Sequence, residues 1–168
     1  GFVSRGLGDV YKRQIFTSGA TEANNLGLVG HARAKAQLIG KPGHIITVST
    51  EHHAVLDPLR QLQKEGFRLT ELQPNKEGLI NIEQLSEAFE KDTFLVSVMA
   101  ANNEIGVLQP IGDIGSFCKR KGIAFHSDAA QAFGYLDLDP DKFRIDLMSL
   151  SAHKIYGPKG IGLSLIHI

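Results

Sequence analysis

The chain has 168 residues, and its 18 Lys+Arg balance its 18 Asp+Glu, so the formal net charge is zero. Hydrophobic residues make up 42% and charged residues 21%, a globular composition that excludes an intrinsically disordered chain. The neutral balance excludes the broad basic field of nucleic-acid-binding proteins, and no apolar run approaches the ~18 residues that a membrane span needs.

Short apolar segments alternate with amphipathic stretches from Ile15 onward. Segments rich in β-branched or aromatic residues predict strands at 15–17, 44–49, 68–72, 93–99, 123–126 and 147–150. Apolar residues at helical spacing predict helices between them, with Asn81 and Gln84 forming a capping box at the start of one. The helical sets are Val55, Leu59, Leu62; Ile82, Leu85, Phe89; and Ile111, Ile114, Cys118. This alternation predicts an α/β fold with a mostly parallel sheet sandwiched by helices.

The residues that follow each predicted strand are candidates for a ligand site, because open α/β sheets bind ligands at the carboxyl ends of their strands. After the first strand, residues 17–25 place small residues before a helix, where free N–H groups and the helix dipole suit a phosphate. The alternative is an ordinary helix start with Gly19 present for tight packing.

Histidine and asparagine pairs follow the second and fourth strands. Adjacent side chains point in different directions, so at most one of His52 and His53 is expected to face a site, and a surface or capping role is the alternative. Asn102 and Asn103 either form a turn or present an amide to a ligand oxygen. A zinc site made from the two histidines and His126 is not favoured, because no cysteine or carboxylate has matching spacing.

Asp128 and Lys154 are the strongest chemical signals. Asp128 ends a buried strand, and a protonated pyridine nitrogen would offset the cost of burying its carboxylate, although a capping role is equally compatible. Lys154 lies between a buried strand and a Gly-Pro turn, where we expect a partly desolvated amine able to attack an aldehyde. Lys159, beside Pro158, is expected to be a surface lysine.

Five motifs occur in a fixed order, at residues 17–22, 51–56, 101–106, 128–131 and 151–160. Together they resemble the cysteine desulfurases of the class V aminotransferase superfamily, in particular the group I branch typified by NifS and IscS. The resemblance covers residues 15–162. It implies an incomplete large domain of a fold-type I pyridoxal-phosphate enzyme, with pyridoxal 5'-phosphate as cofactor.

The resemblance also implies roles for individual residues. Lys154 would form the Schiff base, and Asp128 would keep the pyridinium nitrogen protonated. Gln131 and Asn103 would contact the phenolic oxygen of the ring, and His52 would stack on the ring and move protons. The phosphate-binding residues implied in the same way are Ala20, Thr21, Ser151 and His153.

The activity implied is removal of sulfur from L-cysteine, which yields L-alanine and an enzyme persulfide for iron–sulfur cluster assembly. The family acts as a homodimer that passes sulfur to a scaffold or another acceptor protein, with no nucleic-acid or membrane partner. Its nucleophilic cysteine lies C-terminal to position 168, so we expect a fragment that is inactive alone. Cys118, on an amphipathic stripe, is expected to be a structural thiol.

Two other functions stay open at this point. One is a fragment of another class V enzyme, such as a selenocysteine lyase or an aminotransferase, and the other is a non-catalytic module for a phosphate-bearing ligand, which would have no need of Lys154. Residues 1–14 and 163–168 do not resemble the family, so we expect non-native ends and exclude them from the fold prediction. The single cysteine and the lack of a recognisable signal peptide lead us to expect a cytoplasmic protein.

Overall fold

The computed structural model describes residues 14–166, which form one sheet with helices on both faces. The strands are β1 (Gln14–Thr17), β2 (His44–Val48), β3 (Arg68–Leu72), β4 (Thr93–Ser97), β5 (Ala124–Asp128), β6 (Leu147–Ser151) and β7 (Gly162–Ile166). The helices are α1 (Ala20–Ile39), α2 (His53–Lys64), α3 (Ile82–Ala88), α4 (Ile111–Lys121) and α5 (Pro140–Phe143), and a 3-10 turn covers Ala152–Lys154. Within residues 14–166, none of the helices is long and apolar enough to cross a membrane.

The seven-stranded sheet has the order β1-β7-β6-β5-β4-β2-β3. Strand β2 pairs in parallel with β3 and β4, and the pairs β4–β5 and β5–β6 are also parallel. Strand β7 is antiparallel to both β6 and β1. The predicted mostly parallel α/β sheet is therefore confirmed, and the strand boundaries differ from the predicted ones by two residues or fewer.

Two apolar clusters fill the two faces of the sheet. On one face, Leu28 of α1 and Leu59 of α2 pack with Ile45 and Leu95. On the other face, residues of α3 and α4 pack with Phe125 and neighbouring strand residues. Alternate residues of the central strands thus serve opposite faces, which explains why these strands are continuously apolar in sequence. The capping box predicted for α3 is present, with Asn81 and Gln84 bonding each other's backbone N–H.

Strand β7 includes residues 163–166, which the fold prediction left out. Gly162–Ile166 lies between β1 and β6 and pairs with both along its length. Its side chains alternate: Leu163 and Leu165 pack against the cluster next to α4, whereas Ile166 packs against the cluster next to α1. A strand inside a sheet needs side chains that pack on both faces, and these five residues provide them even though the segment does not resemble the family. The remaining residues predicted to be non-native, 1–13 and 167–168, lie outside the described residues.

Candidate active site

A cavity of about 570 Å³ opens at the carboxyl edge of the parallel strands. It is lined by every residue for which the sequence predicted a binding or catalytic role: Ala20, Thr21, His52, Asn103, Asp128, Gln131, Ser151, His153 and Lys154. These residues come from five separate segments of the chain, and the parallel sheet brings them together. A larger cavity of about 870 Å³ lies at the opposite edge of the sheet, beside the starts of β4, β5 and β6, and contains none of them.

One end of the cavity is the turn between β1 and α1. Helix α1 begins after Gly19 without a side-chain cap, so its first backbone N–H groups are not used by a capping residue. The carboxylate of Glu22 accepts hydrogen bonds from the N–H and Oγ of Ser18, at 2.6 and 2.7 Å, and these bonds lower its pKa. Glu22 is therefore occupied by Ser18, and the N–H groups of Ala20 and Thr21 remain available to an anion.

The tightness of this turn depends on Gly162. A Cβ atom placed there would lie 2.5 Å from the carbonyl carbon of Gly19, well inside contact distance. Only glycine therefore allows β7 to run directly behind the turn that opens α1. Beside this turn, the Oγ of Ser151 and the Nδ1 of His153 are 2.7 Å apart, which orients a hydroxyl and an imidazole at the same end of the cavity.

Asp128 also lines the cavity, from the last position of β5, with 7% of its surface exposed. Its Oδ2 accepts a hydrogen bond of 2.7 Å from Nδ2 of Asn24, and its Oδ1 accepts one of 2.9 Å from the N–H of Ala130. Burial raises the pKa of Asp128, while the two hydrogen bonds and the nearby His52 act in the opposite direction. A cationic N–H in the cavity would add to the groups that favour the carboxylate.

His52 both caps a helix and lines the cavity. Its Nδ1 accepts a 3.0 Å hydrogen bond from the N–H of Ala54 at the start of α2. In a neutral ring this bond places the proton on Nε2. The neighbouring His53 lines a different surface depression and lies 3.6 Å from Asp57 on the exposed side of α2, so only one of the two histidines enters this cavity.

The segment after β4 also lines the cavity. Met99 is buried and lines the cavity, and Asn103 is exposed at its rim. Asn102 points away from the cavity: its Nδ2 donates to the Thr50 carbonyl at 2.8 Å, and its Oδ1 accepts from Glu104 N–H. Asn102 therefore takes the predicted turn role, whereas Asn103 is the one whose side chain is open to a ligand.

Lys154 corrects one physical expectation. It belongs to the 3-10 turn after β6 and lines the cavity, but it is exposed rather than partly desolvated. The reason is that this turn lies at the open mouth of the cavity. Its backbone is nevertheless held, because the hydroxyl of Tyr135 donates a 3.0 Å hydrogen bond to the Lys154 carbonyl. Lys159, expected on the surface, is exposed and also lines the cavity.

His126 and Cys118 lie in the core, away from the cavity. The ring of His126 sits between Ser97 Oγ at 2.8 Å and Ser149 Oγ at 3.2 Å, and burial lowers its pKa to about 3. Burial raises the pKa of the Cys118 thiol to about 12. The expectation of a structural thiol agrees with this burial. In the described part of the chain, no cluster of three or more His, Cys, Asp or Glu side chains could hold a metal ion.

Comparison with known families matches residues 8–167 to the model described as "Aminotransferase class-V". The chain belongs to the aminotransferase class-V family. The family model covers nearly the whole chain. Residues from all five predicted motifs line the same cavity, so the structure and the family match point to the same site.

Named relatives of this class-V chain are cysteine desulfurases. The chain is 55% identical over 152 residues to "Probable cysteine desulfurase, mitochondrial" of Schizosaccharomyces pombe, and the match covers 90% of this chain and 30% of that protein. It is 52% identical over 151 residues to "Cysteine desulfurase IscS" of Dechloromonas aromatica, covering 90% of this chain and 37% of that protein. The predicted resemblance to cysteine desulfurases is confirmed, and the chain spans about a third of the length of these relatives.

A solved structure described as "SspA in complex with cysteine" superimposes on the class-V chain with a TM-score of 0.88. The two are 44% identical, and the match covers 98% of this chain and 46% of that one. The predicted α/β fold is therefore shared with a protein whose structure is described as a complex with cysteine.

Sequence reasoning missed three site-supporting residues of this class-V domain. Asn24 bonds Asp128, Tyr135 bonds the Lys154 backbone, and Glu51 lies buried beside the cavity with its Oε1 accepting from Met99 N–H. Glu51 carried a usable signal, because a carboxylate two residues after the predicted strand 44–49 risks burial, which is costly without a compensating partner. Asn24 and Tyr135 carried none, since their partners are 104 and 19 residues away in sequence.

Proposed function

We propose that this chain is the cofactor-binding part of a pyridoxal 5'-phosphate-dependent cysteine desulfurase, which takes sulfur from L-cysteine. The observation that carries the proposal is the single cavity that combines the Lys154 amine, the buried Asp128 carboxylate and the uncapped start of α1. The names of the relatives and the cysteine-bound solved structure support the same activity.

The residues present fit pyridoxal phosphate in both size and chemistry. A cavity of about 570 Å³ lies in the range of small-molecule sites. Its lining offers groups of matching chemistry: backbone N–H groups of α1 with Ser151 and His153 for the phosphate, and the Asp128 carboxylate for a ring N–H. The raised pKa of Asp128 reflects an unfavourable buried charge, which a cationic ring nitrogen would offset.

When bound, pyridoxal phosphate supplies an electron sink for breaking bonds at the substrate α-carbon. Asp128 would hold the proton on the ring nitrogen, with Asn24 and Ala130 N–H keeping its two oxygens in place. Gln131 and Asn103 would contact the phenolic oxygen from the cavity rim. Lys154 would hold the aldehyde carbon of the cofactor, and its amine would be the group that moves a proton at the substrate α-carbon.

His52 would cover one face of the ring. Its Nδ1 is engaged by Ala54 N–H, which fixes the plane of the imidazole and leaves Nε2 as the atom able to exchange a proton. A stacked, fixed imidazole excludes water from one face and places a proton carrier near the reacting atoms. A helix cap and a catalytic role are therefore compatible in one side chain.

The sulfur-accepting thiolate would come from outside this chain. Cys118 does not suit that role, because it is 1% exposed in the core and its pKa of about 12 keeps it a thiol. We also propose that the complete enzyme is a homodimer, is cytoplasmic and passes its sulfur to an acceptor protein, such as a scaffold for iron–sulfur clusters. The IscS name of several relatives supports the sulfur-transfer part of this proposal.

The test replaces Lys154 in the full-length protein. We expect Lys154→Ala to abolish both the visible absorbance of the bound cofactor and its covalent fixation by borohydride, whereas the matched control Lys159→Ala retains both. Cofactor that is still fixed by borohydride in Lys154→Ala would contradict the assignment. Alanine release from L-cysteine by the wild type supports a desulfurase; release only from selenocysteine, or transamination alone, would favour the other class V activities, and no bound cofactor would favour a binding module.

A further inference from the structure

Glu51 is a buried carboxyl group that none of the steps above uses. It lies between β2 and His52, with 6% of its surface exposed. Its Oε1 accepts a hydrogen bond from the N–H of Met99, and its Oε2 has no hydrogen-bond partner among residues 14–166. Burial and the nearby charge of Asp128 both raise the pKa of Glu51, well above its ordinary value. Burying a carboxyl group with an incomplete set of hydrogen bonds costs free energy, so the contacts that Glu51 does make are the place to look for its role.

The hydrogen bond that Glu51 accepts from Met99 N–H joins two chain segments that line the cavity. One follows β2 and carries His52, and the other follows β4 and carries Met99 and Asn103. A second bond joins the same segments, from Asn102 Nδ2 to the carbonyl of Thr50 at 2.8 Å. Each linking side chain is adjacent in sequence to a cavity residue, so the two bonds fix where His52 and Asn103 stand relative to each other.

Glu51 and Asp128 form a pair of neighbouring buried carboxyl groups, and two negative charges there would repel each other. Asp128 receives two hydrogen bonds, from Asn24 Nδ2 and Ala130 N–H, whereas Glu51 receives one. Hydrogen-bond donors stabilise the ionised form, so the negative charge belongs on Asp128 and the proton on Glu51.

We propose that Glu51 is a positioning residue whose uncharged side chain fastens the His52 segment to the Met99–Asn103 segment and leaves the negative charge of the pair to Asp128. The inference rests on the proposed cofactor site, since its consequence is a correctly placed His52 and a fully charged partner for the ring nitrogen. Glutamine retains the acceptor oxygen and the neutral state, whereas leucine retains the approximate volume and loses the acceptor.

The first experiment measures pyridoxal phosphate binding by full-length apo-protein carrying Glu51→Gln or Glu51→Leu. We expect Glu51→Gln to stay within about threefold of the wild-type Kd and Glu51→Leu to weaken binding by about tenfold or more, as for loss of a buried hydrogen bond. Ser49 lies on the same segment as Glu51, and Ser49→Ala is the matched control because it removes only the hydrogen bond from Ser49 to Gln73. Unchanged binding in Glu51→Leu, or equal weakening in both Glu51 variants, would overturn the inference.

The second experiment needs neither cofactor nor a destabilising variant. In apo-protein isotope-labelled at the glutamate side-chain carboxyl carbon, NMR should show one resonance of a protonated acid at neutral pH, which is lost in Glu51→Gln. Glu22, whose pKa is lowered by Ser18, should remain ionised. Finding every glutamate ionised would overturn the inference even if the cofactor binds well. Failure of the wild type to bind cofactor, with the protonated resonance present, would instead reject the proposed cofactor site.

Discussion

The hydroxyl of Tyr135 donates a hydrogen bond of 3.0 Å to the backbone carbonyl of Lys154, joining the turn after β5 to the turn after β6. The same two turns meet at Gly134, where a Cβ atom would lie 2.7 Å from Cγ2 of Ile155. A hydrogen bond of Tyr135 with Tyr156 raises the pKa of the Tyr135 phenol. The lysine backbone is thus held from outside the cavity, while its side chain remains exposed at the mouth.

Tyr135→Phe should therefore disturb Lys154 without removing it. We expect the variant to bind pyridoxal phosphate more weakly by less than about tenfold, because the lost bond is exposed and neutral. The measurement is a cofactor titration of full-length apo-protein followed by visible absorbance. Tyr156→Phe is the control, since it keeps the bond to the Lys154 carbonyl. A larger loss in Tyr156→Phe than in Tyr135→Phe would show that the carbonyl bond is not the important contact.

Asn24→Ala should weaken the group that would hold the ring nitrogen. It leaves Asp128 Oδ2 buried without the donor that lies at 2.7 Å, so the pKa of Asp128 should rise further. We expect a loss of about 1–3 kcal/mol in the free energy of unfolding and a large fall in kcat at neutral pH. Chemical denaturation and steady-state kinetics provide the two measurements. The exposed neighbour Asn25 is the control, and Asn25→Ala should leave kcat unchanged.

The sequence predicted the sheet well because its central strands carry their own signal. Strand β4 is apolar on both sides, and the site residues follow strand ends, where an α/β sheet must collect them. The 3-10 turn at Lys154 was harder, since its exposure depends on how far the mouth of the cavity stands open. Sequence order does not contain that distance.

Two further features of the structure that were not predicted from the sequence have a common physical cause. Strand β7 has a short alternating pattern that becomes meaningful only when β1 and β6 flank it. The Asn24–Asp128 bond likewise exists only after α1 has packed across the sheet onto β6 and β7. Both are consequences of long-range packing, which periodicity and local motifs do not record.

His126 should make the protein sensitive to acid. Burial lowers its pKa from 6.5 to about 3, so the folded state does not take up a proton that the unfolded chain gains below about pH 6.5. Stability is therefore lost as the pH falls from about 6.5 towards about 3, by at most about 1.4 kcal/mol per pH unit. We expect His126→Gln to show a shallower decrease in unfolding free energy across this range. His53→Gln, at an exposed position, should retain the wild-type slope, and an unchanged slope in His126→Gln would contradict the prediction.

Glu51 should have the opposite pH dependence. Its raised pKa means that the folded state keeps a proton that the unfolded chain releases above about pH 4.5, so this group's contribution to stability decreases as the pH rises from there. Glu51→Gln has no proton to lose, so its unfolding free energy should increase relative to that of the wild type as the pH rises. Denaturation of both full-length apo-proteins across the range measures the difference. Glu22→Gln provides the contrast: the pKa of Glu22 is lowered, so the wild type should gain on that variant as the pH rises. A difference between wild type and Glu51→Gln that does not change with pH would mean that Glu51 is ionised in the folded protein.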